Sequence, residues 1–148
     1  DIHRNFMGYS SSKTQLMVGL GMSAISDSWY AFAQNNKTVE EYQKLVEEGT
    51  IPVVKGHLLS EEDLNIRQHI LNLMCRLETS WDMQTSFPEL PSALEALKEM
   101  EADGLVEISD NSIKITEKGR AFTRNVAMTF DLRMMRNKPE TRIFSMTI

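Results

Sequence analysis

The sequence predicts a mainly α fold with a small β-hairpin, on three observations. From residue 37 onward, apolar residues recur at helical spacing behind Ser and Thr caps. Two short alternating stretches, Leu105–Ile108 and Ile113–Ile115, flank Asp110-Asn111 and read as a hairpin. Residues 1–36 have another texture: rich in Gly, Ser and aromatics, with Asp1 and Asp27 as their only acids. Two domains are therefore expected, residues 1–36 and residues 37–148.

In order along the chain, Gln15 to Ile25 reads as a buried strand running into a turn. No partner strand of similar apolarity lies nearby, so it is expected to belong to a sheet located elsewhere. Thr38-x-x-Glu41 is a capping box, and Val39, Tyr42, Leu45 and Val46 form one apolar stripe before Gly49. Ile51 to His57 is expected to be extended, because Pro52 restricts the residue before it. Ser60-x-x-Asp63 opens a second helix whose stripe of Ile66, Ile70, Leu73, Met74 and Leu77 continues to about Trp81. Residues 82–89 read as a loop, and a third helix runs from Pro91-Ser92 to Gly104. After the hairpin, Thr116 caps a long final helix over 117–136, followed by a tail that is polar and then apolar. Together, LEALKEMEADGLVEISDNSIKITEKGRAF resembles the second half of a winged helix.

Composition removes several function classes. The chain has 148 residues, 41% hydrophobic and 25% charged, enough for a packed core and against global disorder. No apolar run approaches the roughly 18 residues of a membrane span, and no charged segment precedes a short apolar one, so a cytoplasmic protein without a membrane span is expected. Cys75 is the sole cysteine, which leaves no intrachain disulfide and no cysteine metal site; in Leu73-Met74-Cys75 it reads as a buried, inert thiol. His3, His57 and His69 lack ligand spacing, and His69 is expected to be a partly exposed structural residue.

A winged helix raises the possibility of DNA binding, as a free-standing interaction or regulatory module. The net charge is −5, however, and the helix that would enter a groove carries Glu95, Lys98, Glu99, Glu101 and Asp103, a net negative set. Phosphates repel such a face. The expected partner of the wing is another domain and not nucleic acid. The basic residues Arg133, Arg136, Lys138 and Arg142 complement the dipole of the final helix or form a dock for carboxylates; Arg133 and Arg136, three apart, share a helix face.

Gly19-Leu20-Gly21-Met22-Ser23-Ala24 fits the loose Gly-x-Gly-x-x-Ala form of a dinucleotide turn. The next six residues are Ile-Ser-Asp-Ser-Trp-Tyr, a poor helix start, and no strand ending in an acid appears about twenty residues on. The dinucleotide reading is rejected.

RNFMGYSS at 4–11 and LMVGLGMSAISDSWYAFAQN at 16–35 resemble the end of the catalytic barrel of oxygen-independent coproporphyrinogen III oxidases. DGLVEI, ITEKGRAFTRNVAMTFD and the final residues extend the likeness over essentially the whole chain. The resemblance implies that residues 1–36 are a remnant of an α/β radical S-adenosylmethionine barrel, disordered or docked non-natively when alone. It implies a winged-helix-like C-terminal helical domain at 37–148, in a family where this domain closes over the barrel mouth. The implied partners are the rest of the barrel and a porphyrinogen substrate.

The family's reaction in haem biosynthesis is oxidative decarboxylation of two propionates of coproporphyrinogen III to the vinyl groups of protoporphyrinogen IX. S-adenosylmethionine and a 4Fe-4S cluster supply a 5′-deoxyadenosyl radical. The cluster motif, Cys-x-x-x-Cys-x-Cys, is absent, so this piece would bind no cofactor and be inactive alone. By resemblance, Phe6 and Met7 line the active-site wall and Ile25 contacts S-adenosylmethionine. Met7 stands where the family usually has Gln, removing an amide that both donates and accepts, and a related substrate stays open. Arg133, Arg136 and Arg142 are the residues assigned to the propionates.

Overall fold

Strands dominate the first part of the chain and helices the second. The computed structural model describes residues 2–136, which divide into two units at Leu64/Asn65.

In the first unit, β1 (His3–Asn5) and β2 (Gly8–Ser10) form a tight antiparallel hairpin with Asn5 opposite Gly8. Asn5 Oδ1 accepts the Met7 N–H at 2.8 Å, and Gly8 takes φ +117, a value that favours glycine. A four-stranded antiparallel sheet follows in the order β3 (Leu16–Met17), β4 (Ile25–Ser28), β5 (Ala31–Asn35) and β6 (Val53–Leu58). Helix α1 (Val39–Glu47) lies between β5 and β6 in sequence.

This corrects three expectations. The segment 15–25 is not one buried strand: only Leu16–Met17 and Ile25 are in strands, and Val18 and Leu20 are exposed. Its partners are local: Ala31–Asn35 is a strand in which Phe32 is the one large apolar residue beside Ala, Gln and Asn. The fold therefore holds more strand than one hairpin, with nine strands and five helices among the described residues. The four-stranded sheet continues past residue 36, because β6 pairs with β5 along Ala31↔Leu58 to Asn35↔Val53.

Burial in this unit is unusual. Its buried residues are Asp27 and Asn35, while fifteen large apolar side chains between Ile2 and Leu58 are exposed. Helix α1 buries none of its residues, so its expected apolar stripe has no packed core beneath it.

The second unit has a conventional core. Helix α2 (Glu61–Arg76) opens with a reciprocal box: Ser60 Oγ accepts the Asp63 N–H at 3.1 Å, and Asp63 Oδ2 accepts the Ser60 N–H at 3.0 Å. The helix stops short of Trp81 because Leu77 turns left-handed at φ 64, after which β7 (Glu78–Ser80) joins a sheet. Its strand order is β7-β9-β8, where β8 (Val106–Ser109) and β9 (Ser112–Ile115) are the expected hairpin. Helix α3 (Leu90–Ala102) precedes that hairpin. Leu73, Leu97, Ile113, Val126, Phe130 and Leu132 form the fully buried centre.

The final helix is broken, not continuous. A 3-10 turn (Lys118–Phe122) leads to α4 (Thr123–Met128), and α5 (Leu132–Arg136) follows a separate turn. Thr129 Oγ1 donates to the Val126 carbonyl at 2.8 Å, competing with the helical ladder, and Asp131 Oδ1 accepts the Met134 N–H at 3.0 Å as a new cap. The break lets Phe130 point wholly into the core. Gly119 is required where this turn begins, since a Cβ there would sit 1.9 Å from the Leu105 carbonyl oxygen.

Candidate functional site

The motif residues 4–11 and 16–35 all fall in the first unit, and the structure ties the second motif into one knot. The loop between β3 and β4 doubles back so closely that a Cβ on Gly19 would lie 2.7 Å from the Ile25 carbonyl oxygen. Gly21 adopts φ +99 and Ser23 φ 60, so the loop makes two left-handed turns within three residues. Ser26 Oγ accepts the Gly19 N–H at 3.0 Å. Asn35 Nδ2 donates to the carbonyls of Gly19 at 3.1 Å and Gly21 at 2.9 Å. Tyr42, reaching from α1, accepts the Gly21 N–H on its hydroxyl at 3.0 Å. The backbone closes the knot: Ser23 N–H donates to Asn36 O at 2.7 Å and Asn35 N–H to Ala24 O at 3.0 Å.

Gly19 thus serves a close backbone approach and Gly21 a left-handed turn, and not a strand–turn–helix pyrophosphate site, since Ile25 enters a strand. Ile25 is half-buried on β4 opposite Gln34. Phe6, at the hairpin tip, lies edge-on to Phe32 with ring centroids 5.1 Å apart, and Met7 beside it is 86% exposed. Sequence reasoning missed Asn35 altogether and read Tyr42 only as part of an apolar stripe. The tell-tale signal was a carboxamide ending the short strand Ala31–Asn35, where its own ladder pairing needs none.

The remaining candidates lie in the second unit. Arg133 and Arg136 sit on α5, and Arg142 lies outside the described residues. Arg136 is engaged: its Nε donates to Glu89 Oε1 at 3.0 Å, its Nη2 reaches the same oxygen, and Glu89 immediately precedes α3. His69 is buried, contrary to the expectation of partial exposure. Its Nε2 faces the Thr85 carbonyl and its Nδ1 the Thr79 hydroxyl, both at 2.9 Å, between the rings of Phe87 and Phe130. The Thr85 carbonyl can only accept, so Nε2 carries the proton. Cys75 is half-buried on α2 and not fully buried as expected. On α3, Lys98 pairs with Glu95 at 2.6 Å and Glu99, Glu101 and Asp103 are exposed, which keeps that face acidic.

The loop and the cluster differ in what this chain can hold. An aliphatic strand residue beside a loop of fixed carbonyls, with exposed Leu20 and Met22 on that loop, suits an adenosyl group as one wall of a pocket. A 4Fe-4S cluster does not fit this chain: the sequence has one cysteine, and no group of three His, Cys, Asp or Glu among the described residues is placed to hold a metal.

The chain is similar throughout to part of an oxygen-independent coproporphyrinogen III oxidase. The enzyme of that name from Synechocystis is 32% identical over all of this chain, and those from Escherichia coli and Salmonella typhimurium are 32% and 34% identical over 99% of it. The chain spans about one third of the length of these curated relatives, 33–34%. A solved structure of coproporphyrinogen III oxidase from Escherichia coli, described as a radical SAM enzyme, matches 89% of this chain and 32% of its own at TM-score 0.78 and 32% identity. No family model matches the chain. Among the described residues, no helix is long and apolar enough to cross a membrane.

Proposed function

We propose that this chain is the C-terminal portion of an oxygen-independent coproporphyrinogen III oxidase, which removes two propionate carboxyls of coproporphyrinogen III to leave the vinyls of protoporphyrinogen IX in the cytoplasm. The observation that carries the reading is the joint match in sequence and fold over nearly the whole chain. The first unit supports it physically. A sheet that buries only Asp27 and Asn35 and exposes fifteen large apolar residues is not self-sufficient, as expected of a barrel end that the rest of the enzyme covers.

In the whole enzyme, S-adenosylmethionine and a 4Fe-4S cluster supply the radical chemistry when bound. The cluster belongs to residues outside this chain. What this chain contributes is placement: Ile25 lines the adenosylmethionine pocket, while Phe6 and Met7 close the wall and keep water out. Met7 offers a thioether where the family has an amide, so it packs without donating a hydrogen bond. Arg133, Arg136 and Arg142 are assigned to the propionates. Arg136 already holds Glu89, so substrate carboxylate would exchange with that partner. The second unit is winged-helix-like, supported by the strand order β7-β9-β8 and the helix before the hairpin, and its acidic α3 suits a structural wing.

The reading is tested on the full-length protein purified without oxygen. It is expected to carry about four irons and four sulfides, bound by three cysteines upstream of Asp1. A reading frame with no such cysteine motif upstream, or a protein free of iron, sinks the proposal.

A further inference from the structure

The knot at residues 19–26 is held by side chains from outside it. Asn35 ends β5 at an irregularity in the β5–β6 register, is only 5% exposed, and turns its carboxamide back onto the loop. Both partners of Nδ2 are carbonyl oxygens, which fixes the orientation of the amide: only its nitrogen can face them. Both hydrogens are used within the loop, and a strand position needs no carboxamide for its own pairing. The Tyr42 hydroxyl supplies the complementary contact by accepting the Gly21 N–H, and Gln34 Nε2 donates to the Ser23 carbonyl at 3.3 Å. The main chain from Gly19 to Ser23 is thereby pinned on both its donors and its acceptors.

Resting on the reading of this chain as part of a radical S-adenosylmethionine enzyme, we propose that Asn35, supported by Tyr42, is a positioning residue for adenosylmethionine. It fixes the Gly19–Ala24 turn and so sets where Ile25 begins its strand and meets the adenosyl group. Asn35 does not touch the cofactor. Its effect passes through the two carbonyls that it holds, and without them the left-handed turns at Gly21 and Ser23 relax toward ordinary backbone.

The test uses the full-length protein, with adenosylmethionine affinity measured by equilibrium dialysis and loop order by amide hydrogen exchange. Tyr42→Phe keeps the ring and removes one acceptor; it is expected to weaken binding about fivefold and to speed exchange at Gly21, with the circular dichroism spectrum unchanged. Asn35→Asp keeps the shape, removes both donors and sets a carboxylate against two carbonyls, so binding is expected to fall at least about tenfold. Part of that loss returns as the pH is lowered and the protonated carboxyl donates again, a response that loss of structure alone does not give. If Asn35→Asp does not fold, the Tyr42→Phe measurement decides alone. Variants that bind as tightly as the parent overturn the role of Asn35 and leave the enzyme reading intact. A parent protein that binds no adenosylmethionine overturns the enzyme reading, and this inference with it.

Discussion

Replacing Gly19 with Ala asks whether the loop needs its close approach. The new Cβ would sit 2.7 Å from the oxygen, 2.8 Å from the carbon of the Ile25 carbonyl, and 3.0 Å from the Ala24 Cβ. Two of these three obstacles are backbone within a paired strand, so no rotamer change relieves them. Strand β4 or the loop has to move, and overpacking of this kind costs about 1–3 kcal/mol. Gly56→Ala is the internal control: its Cβ meets only the Phe32 carbonyl oxygen at 3.6 Å, ordinary contact, on the neighbouring strand pair. Its effect is expected within about 0.5 kcal/mol of zero. The assay is native-state hydrogen exchange of amides in the four-stranded sheet, which reads the opening free energy of this unit separately from the other. The expected result is lowered protection from Ile25 to Asn35 in Gly19→Ala and unchanged protection in Gly56→Ala. Equal protection in both variants would refute the argument that glycine is there for space.

Other outcomes concern the second unit. Gly119→Ala places a Cβ 1.9 Å from the Leu105 carbonyl, a backbone clash expected to cost about 3 kcal/mol or more, visible as a lower urea midpoint. His69→Phe keeps an aromatic ring between Phe87 and Phe130 but leaves the Thr85 carbonyl without its donor; a loss of about 1–3 kcal/mol is expected, and an unchanged midpoint contradicts the assigned proton position. The Asp82 carboxyl is held below its ordinary pKa, chiefly by the Thr85 N–H, then by the Gln84 N–H and the Thr85 hydroxyl. A lowered folded pKa means its contribution is complete above the unfolded value of about 3.9 and disappears as pH falls through the folded one. Asp82→Ala is therefore expected to reduce the acid dependence of stability below about pH 4, read by urea titration at several pH values.

The parts legible in the sequence were those written in periodicity and caps. Ser60 and Asp63 form the expected reciprocal box, and Leu105 to Ile115 forms the expected hairpin around Asp110-Asn111. What escaped was written in other terms. Ala31–Asn35 pairs on both sides, yet Phe32 is its one large apolar residue, so no hydrophobic alternation marks it as a strand. The helix over 117–136 kept its apolar spacing through Thr129 and Asp131, whose side chains redirect the backbone without interrupting that spacing. His69 gave no hint of burial, because its partners, Thr79 and Thr85, are ten and sixteen residues away. The glycine loop was legible as a motif but not as a knot, since Asn35 and Tyr42 act on it across sequence separations of 14 and 21.

The central claim, that this chain completes a porphyrinogen-decarboxylating radical enzyme, is tested most directly by a single-turnover assay of the full-length protein without oxygen. With reductant, two equivalents of S-adenosylmethionine and a one-electron acceptor for the electron left by each decarboxylation, the account predicts that two carbon dioxide molecules are released for each coproporphyrinogen III consumed. It also predicts loss of that release when the upstream cluster cysteines are changed to alanine. Porphyrinogen left unchanged by a protein that carries its cluster and binds S-adenosylmethionine would contradict the account.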